Sequence, residues 1–448
     1  MSSQSEIKNS VLLPESILHK RVIAYLLILI YLALVLFPGV LVLVQSGISE
    51  IVYTLAKFAG MTAISIFALQ VILGSRLRFL DRPFGLNVVL SVHAKMAIFG
   101  FFLAILHPVL LIILSGDFSL LSLDNSSGIN LGKLGLMLLF LAILLAVFFK
   151  NLKIDYNRWH TMHKGMIIVL VLLFIHAFAV GSNLEEGIAR TVLAVYFAVA
   201  ILTFLYRNIA VPLFRRKKFS IDKITRETQD VWSFDFKPKS GSFNGYYPGQ
   251  FMFLKLVRPG RSSQEHPFTI CSSPGDSDII RASIKQSGDF TNTIHNTTLE
   301  DTALIDEPFG RFTLTLYPAE KYIFIAGGIG ITPFMSMIRY LNQTEDNREV
   351  VLLYGNKTAK DIAFREELDS LPENFRVIHV LSQAEKNWSG ETGYINSEII
   401  DRFCAKILKD SHIFICGPPP MMKSVRRALI KMGIPRTRIH WEKFAFTH

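Results

Sequence analysis

Cysteine is almost missing from this chain. The three thiols in 448 residues, Cys271, Cys404 and Cys416, show no metal-like spacing and offer no disulfide framework. That scarcity fits a reducing compartment for the part that carries them. The formal net charge of +11 does not come from basic residues interleaved with aromatics in a polar groove, so it is no nucleic-acid signature. No small-residue cleavage site follows the first apolar run, which begins after Lys20 and Arg21 and reads as an uncleaved anchor rather than a signal peptide. The glycine clusters lack the GxGxxG form. Between residues 22 and 210 long apolar runs dominate and charge is sparse, while residues 215–448 have the mixed composition of a soluble α/β protein.

Six apolar segments, at about 22–45, 51–74, 90–115, 132–149, 163–181 and 187–207, are each long enough to cross hydrocarbon as a helix. Arg76, Arg78 and Arg82 occupy the second connection, Lys150, Lys153 and Arg158 the fourth, and Arg207 and Arg215–Lys218 follow the sixth segment. The alternate connections carry Glu50, Asp117, Asp124, Glu185 and Glu186. Basic loops stay cytoplasmic, which predicts a multi-pass cell-membrane protein with its N-terminus and soluble half inside.

Four histidines lie within these apolar stretches, where an ionisable side chain is costly and is by default a site hypothesis. His93 and His107 are fourteen residues apart, and His163 and His176 thirteen. At about 1.5 Å per residue each pair spans roughly 20 Å, most of a hydrocarbon core about 30 Å thick. Two such pairs on two helices suit two haems stacked across a membrane, one near each face. At about 100° per residue, His107 returns to within roughly 40° of His93, but His176 lands about 140° from His163. The fifth helix must therefore bend or present two faces. His160, at roughly 160° from His176, is no better, and spacing does not choose between it and His163. A bundle of core histidines in a transporter is the plain alternative. Lys95, Arg158 and Lys164 can hold haem propionates or simply anchor helix ends.

Residues 219–317 show short alternating strands broken by turn residues, as in Tyr247–Leu254, the pattern of a small β-barrel. Within it His266-Pro267-Phe268-Thr269 precedes Ile270-Cys271-Ser272-Ser273-Pro274. Phe268 can wall a flavin ring, and Thr269 can bring a hydroxyl to its redox-active nitrogen. In Lys285-Gln286-Ser287-Gly288-Asp289-Phe290-Thr291 a glycine before a short helix start exposes N–H groups suited to a pyrophosphate. From residue 321 strands alternate with helices, the sign of a parallel sheet. Strand Tyr322–Ala326 enters Gly327-Gly328-Ile329-Gly330-Ile331-Thr332-Pro333 and a helix at Phe334–Leu341. Strand His412–Ile415 ends in Cys416-Gly417-Pro418-Pro419-Pro420. Two such turns at adjacent strand ends define a dinucleotide crevice, although Cys416 is equally at home as a small buried residue.

The order HPFT, GDFT, GGIGITP and CGPPPMM resembles the ferredoxin–NADP reductase superfamily over about 220–448. With the apolar half included, nearly the whole chain resembles the NADPH oxidase and ferric reductase family. The resemblance implies a six-helix transmembrane bundle (22–210, after a cytoplasmic segment 1–21), a β-barrel FAD domain (216–317) and an α/β NAD(P)-binding domain with a parallel sheet (318–448). It selects His163 over His160 and implies haem b bridged by His93–His163 on the inner side and by His107–His176 on the outer side. It further implies FAD held by His266, Pro267, Phe268 and Thr269, with Lys285, Gly288 and Thr291 near the phosphates. Gly327, Gly328, Gly330, Thr332, Pro333, Cys416, Gly417 and Pro418 would line the nucleotide site. An aromatic near the end, Phe444 or Phe446, would cover the flavin. No long insertion, calcium-binding segment or partner-binding tail is visible, so no obligatory activator protein is expected. Leu111 stands where animal oxidases have a further histidine.

The expected activity is electron transfer from cytoplasmic NAD(P)H through FAD and two haems to an acceptor across the lipid bilayer. Dioxygen is favoured because the outer loops are short and lack an acidic or thiolate cluster. A ferric chelate is the alternative acceptor. Two other classes remain: a haem-containing proton or ion conduit with a regulatory reductase domain, and a soluble flavoprotein on an unrelated anchor. Lys357, after Gly355-Asn356, can meet a 2′-phosphate or be a solvated loop lysine.

Overall fold

The computed structural model describes residues 17–46, 51–149, 151–154, 156–181, 187–241, 243, 245–260, 263–276, 279–306 and 308–442. The chain forms two compact units, one of residues 16–214 and one containing residues 215–448.

The first unit is helical: α1 (Ile17–Ser46), α2 (Ile51–Gly74), α3 (Leu86–Ser115), α4 (Ser127–Phe148), α5 (Tyr156–Lys164), α6 (Met166–Val180) and α7 (Ile188–Leu205). Six spans are long and apolar enough to cross a membrane, with α5 and α6 together making the fifth. Within α2's membrane-length window 67% of residues are buried, against 6–22% in the other five. The other spans turn large apolar residues outward, among them Phe102, Ile113 and Leu202, as lipid-facing helices do. The third and fourth spans begin earlier than their apolar runs. The third starts at Leu86 rather than 90, after Asp81 Oδ1 accepts the Leu86 N–H at 2.8 Å. The fourth starts at Ser127 rather than 132, capped by the Ser126 hydroxyl. Polar first turns are helical too, and hydropathy does not register them.

The local bend expected in the fifth span falls at Gly165. There the helix tightens: the Gly165 N–H bonds the Met162 carbonyl and the Ile168 N–H bonds the Gly165 carbonyl, both at 2.9 Å. These i→i−3 bonds reset the helical phase between His163 and His176.

The second unit holds two sheets. Six antiparallel strands, β1 (Lys217–Arg226), β2 (Val231–Pro238), β3 (Phe251–Val257), β4 (Glu265–Thr269), β5 (Ile280–Lys285) and β6 (Thr302–Ile305), lie in the order β4-β3-β6-β1-β2-β5. The Cys271 N–H bonds the Arg281 carbonyl at 2.8 Å, linking the chain just after β4 to β5 and joining the two edges into a barrel. In the Tyr247–Leu254 stretch residues 247–250 form the turn, and the strand begins at Phe251. Pro248 and Gly249 (φ 95°) are a Pro-Gly turn pair, and a Cβ on Gly249 would sit 2.3 Å from the Phe312 carbonyl oxygen. The parallel sheet has the order β10-β9-β8-β7-β11-β12, from β7 (Lys321–Gly327), β8 (Glu349–Asn356), β9 (Phe375–Leu381), β10 (Glu391–Thr392), β11 (His412–Cys416) and β12 (Ile439–Glu442). Helices α8 (Thr332–Gln343), α9 (Ser397–Cys404) and α10 (Pro419–Lys431) accompany it. The chain runs outward from β7 on one side and returns to its other side as β11, which puts the topological switch between β7 and β11.

Helix α8 fastens the parallel sheet to the barrel. Arg339 donates to the Cys271 carbonyl at 2.6 Å and forms a two-pronged ion pair with Glu367, while the Ser336 hydroxyl donates to the Ser272 carbonyl at 2.7 Å. Replacing Arg339 by Met keeps the apolar stem and strips the donor. Glu367 remains hydrated, so the loss falls mainly on the Cys271 carbonyl, at about 1–3 kcal/mol. A lower thermal midpoint for the full chain, with the membrane half unaffected, is the expected measurement.

Candidate active site

In the helical unit the structure brings the four intramembrane histidines together in two pairs. The rings of His93 and His163 have centroids 5.9 Å apart with planes crossed at 72°, and those of His107 and His176 are 6.4 Å apart at 71°. His160 is not in either pair; its ring lies beside Trp159. Lys95, Arg158 and Lys164 are exposed.

Three of the four rings are seated alike. His107 Nδ1 bonds the Ala56 carbonyl at 2.8 Å, His93 Nδ1 the Gln70 carbonyl at 3.2 Å, and His176 Nδ1 the Gly128 carbonyl at 2.9 Å. A carbonyl only accepts, so each Nδ1 carries the proton and each Nε2 keeps its lone pair. Four residues after each of these carbonyls stands a glycine: Gly60, Gly74 and Gly132. A Cβ there would lie 2.9 Å from the His107 ring, 3.5 Å from the His93 ring and 2.5 Å from the His176 ring. In an α-helix the residue at i+4 donates to the carbonyl at i and its side chain leans back over that turn. Glycine at i+4 therefore uncovers the carbonyl's second lone pair. The α2 seats repeat at fourteen residues, matching His93 and His107 on antiparallel α3. Sequence reading missed these seats because the glycines and carbonyls sit in otherwise ordinary apolar runs.

The pair geometry fits a metal between two imidazoles. With metal–nitrogen bonds of about 2.0–2.1 Å on opposite sides, ring centroids stand about 6 Å apart. Among the described residues no group of three or more His, Cys, Asp or Glu is placed to hold a metal ion. Two imidazoles alone leave a transition metal's shell incomplete, so the fit is to a group that brings its own equatorial ligands.

In the barrel His266 and Phe268 lie on β4. The His266 ring stacks on Phe290 at 4.3 Å, and Phe268 stands 6.4 Å from the same ring. Pro267 is on the same strand, paired with Phe253 of β3. Thr269 is buried, and its hydroxyl has no hydrogen-bond partner among the described residues. An orphaned buried hydroxyl is costly unless a ligand completes it, which fits a flavin. Lys285 pairs with Asp230 at 3.1 Å. At the GDFT turn the Thr291 hydroxyl accepts the Ser287 and Gly288 N–H groups at 3.0 and 2.9 Å. Those two donors hold the loop's own shape. Phe290 was not singled out from sequence, although it lies inside the quoted motif.

At the switch point the two glycine turns differ. A Cβ on Gly330 would lie 2.3 Å from the Cys416 carbonyl oxygen, one on Gly417 3.0 Å from Gly327 backbone, and one on Gly327 2.6 Å from Met421 sulfur. These glycines let the two loops pack backbone to backbone. Gly328 (φ +53°) faces open space. Thr332 and Pro333 are buried at the start of α8, with the Thr332 hydroxyl donating to the Ile329 carbonyl. Pro418 caps α10, and Pro419 and Pro420 open it, so that helix start is short of N–H donors. Cys416 is fully buried. Burial pushes its thiol well above the usual range, and its Sγ–H reaches the Glu442 carbonyl at 3.8 Å. It is a neutral wall, not a thiolate. Lys357 is exposed just beyond β8. Phe444 and Phe446 lie outside the described residues.

Barrel, parallel sheet and switch-point crevice define a flavin- and pyridine-nucleotide-dependent reductase, here on the same chain as a membrane-spanning bundle. Residues 59–174 match the ferric reductase like transmembrane component, 215–352 an FAD-binding domain and 324–427 an oxidoreductase NAD-binding domain. The chain belongs to the NADPH oxidase/ferric reductase family and is a membrane NAD(P)H/FAD oxidoreductase. The glycine betaine monooxygenase reductase subunit of Pseudomonas aeruginosa is 32% identical over 234 residues, 50% of this chain and 63% of that protein. The chain thus spans less than two thirds of that relative. NADH-cytochrome b5 reductase 1 of Scheffersomyces stipitis is 30% identical over 230 residues, 50% of this chain and 81% of that protein. NADH-cytochrome b5 reductase 1 of Candida albicans is 32% identical, over 45% of this chain and 70% of its own length.

Two predictions follow from glycine contacts. Gly330→Ala must push the Cys416 turn away, weakening nucleotide binding in a titration and costing about 1–3 kcal/mol of stability. In the bundle, Gly132→Ala should unseat His176 and lower the thermal midpoint, whereas Gly74→Ala, with a 3.5 Å contact, should leave the midpoint nearly unchanged. Equal effects on the thermal midpoint would refute the seat rule.

Proposed function

We propose that the chain moves electrons from cytoplasmic NAD(P)H through FAD and two b-type haems to an acceptor on the far side of the membrane, with dioxygen as that acceptor. The observation that carries this reading is the pair of crossed imidazole couples, alike in ring separation and crossing angle, on a chain that also has the reductase crevice. Bound there, FAD would take an electron pair from NAD(P)H and pass electrons on singly to haem iron. The chain's own residues do the rest. His93, His107 and His176 hold their Nδ1 protons on backbone carbonyls, so each Nε2 would be free to hold haem iron, and His163 would be the fourth histidine to do so. Thr269 offers its unpartnered hydroxyl to the flavin, with His266, Phe268 and Phe290 beside it. The Gly328–Ile331 turn supplies N–H groups toward a pyrophosphate, while Cys416 and Pro418 exclude water.

Sidedness is supported by the connections. Arg76, Arg78 and Arg82 lie between α2 and α3, and Lys153 precedes α5, whereas Asp117 and Asp124 lie between α3 and α4. Basic connections favour the cytoplasmic side. Superoxide formation is supported by the α3–α4 connection, whose Asp117 and Asp124 are occupied by Ser119 and Ser122 and form no metal-binding cluster. Ferric-chelate reduction is the second reading, supported by the family description of residues 59–174.

In the purified full chain, anaerobic NAD(P)H should produce the bands of reduced low-spin haem. No haem reduction would overturn the enzyme reading. Admitting oxygen should then give superoxide-dismutase-sensitive reporter signal. Faster reoxidation by a ferric chelate would select the second acceptor. Replacing His93 or His163 by Ala should remove one haem of two, and so should His107→Ala or His176→Ala. His160→Ala should remove none.

A further inference from the structure

Three histidine seats obey one rule, and the fourth departs from it. His93, His107 and His176 each rest their Nδ1 proton on a helix carbonyl. His163 makes no such bond with any described residue. Its ring instead lies along the indole of Trp159, with centroids 5.3 Å apart and planes 22° apart. Trp159 is four residues earlier on α5, the spacing that brings two side chains onto one helix face. The indole also stacks with Phe149, at 4.9 Å and 21°, and Phe149 is the residue that ends α4. The stack thus runs from the end of one span to the histidine of the next.

A carbonyl bond and a ring stack restrain an imidazole differently. The bond restrains rotation of the ring and raises its donor strength. A parallel stack holds the ring plane and leaves the donor strength of a plain imidazole. We propose that Trp159 is a positioning residue of the His93–His163 pair: its stack, standing in for the missing carbonyl bond, sets the plane of the His163 ring and so the 72° crossing with His93. This rests on the reading of the two pairs as axial haem ligands. The angle between axial imidazole planes governs the splitting of the iron d orbitals in low-spin ferric haem, so the paramagnetic spectrum reports the ring plane directly.

The test is electron paramagnetic resonance of the oxidised full chain in wild type, Trp159→Phe and Trp159→Leu. Wild type should give two low-spin signals, both of the strongly anisotropic kind that crossed ligand planes produce. His163→Ala identifies one of them by deleting it. Trp159→Leu should shift or broaden that signal alone, and Trp159→Phe, which keeps a ring for stacking, should restore it. An unchanged signal in Trp159→Leu overturns the proposal, as do equal shifts in both signals, which would mark general packing. If Trp159→Leu does not fold, Phe149→Leu removes only the outer layer of the stack: a shift confined to the same signal supports the assignment, and no shift overturns it. A wild-type chain with no low-spin haem signal removes the axial-ligand reading itself, and the proposal with it, before any Trp159 variant is measured.

Discussion

An imidazole N–H inside hydrocarbon must find an acceptor, and a helix interior offers only carbonyls that already receive a bond. That constraint organises the membrane half. The second lone pair of such a carbonyl is reached most easily where the residue four places on has no side chain: a Cβ on Gly60 or Gly132 would crowd the ring, while one on Gly74 would make ordinary contact. Helix α2 carries two seats fourteen residues apart, at Ala56/Gly60 and Gln70/Gly74, and α4 carries one at Gly128/Gly132. Antiparallel α3 must then lie close along α2 with His93 and His107 in step with the seats. Gly100, midway between these histidines, fits against Ile66 and Phe67, so the same register serves the apolar packing between the seats. Deep burial of α2 follows from the geometry: the helix that serves two histidines has neighbours on most sides.

The soluble half solves a different problem with one helix. The proposed flavin wall is on β4, and the proposed nucleotide turn follows β7 in another sheet. The chain after β4 passes directly into Cys271 and Ser272, whose carbonyls are taken by Arg339 and Ser336 of α8. Helix α8 begins where the glycine turn ends. The motif beginning at His266 and the motif beginning at Gly327 are therefore two ends of one rigid connection. Phe312, Phe334 and Phe414, packed edge to face, fill the space behind it.

Much of this was legible in the residues. Six spans, the antiparallel barrel, the parallel sheet and the four histidines all announce themselves through periodicity, loop charge or the cost of a polar group in lipid. What stayed hidden depended on contacts between distant segments. The difference between His160 and His163 could not come from angular arithmetic, because the break at Gly165 changes the phase that arithmetic assumes. The seats were invisible because Gly60 and Gly132 look like any small residue in an apolar run until a ring lies against them. Within Tyr247–Leu254 the alternating pattern did not mark where the turn ends and the strand begins, and the fold puts that boundary at Phe251.

The two nucleotide turns illustrate how motif resemblance and physical role can part. Read as sequence, both are glycine turns entering helices, and both invite a phosphate. In the fold the turn after β7 has non-proline residues throughout Gly327–Thr332, each with a backbone N–H. The turn after β11 opens its helix with consecutive prolines, so it is short of the N–H groups an anion needs, and its buried thiol is held neutral. A pyridine nucleotide has a charged end and an end that must react away from water. A crevice with donors on one lip and an apolar, uncharged lip opposite matches that polarity. The mutual packing of Gly327, Gly330 and Gly417 then keeps the two lips at a fixed separation. These glycines act on the crevice rather than on a ligand: their lack of side chains sets its width, and Gly328 alone of the four faces open space.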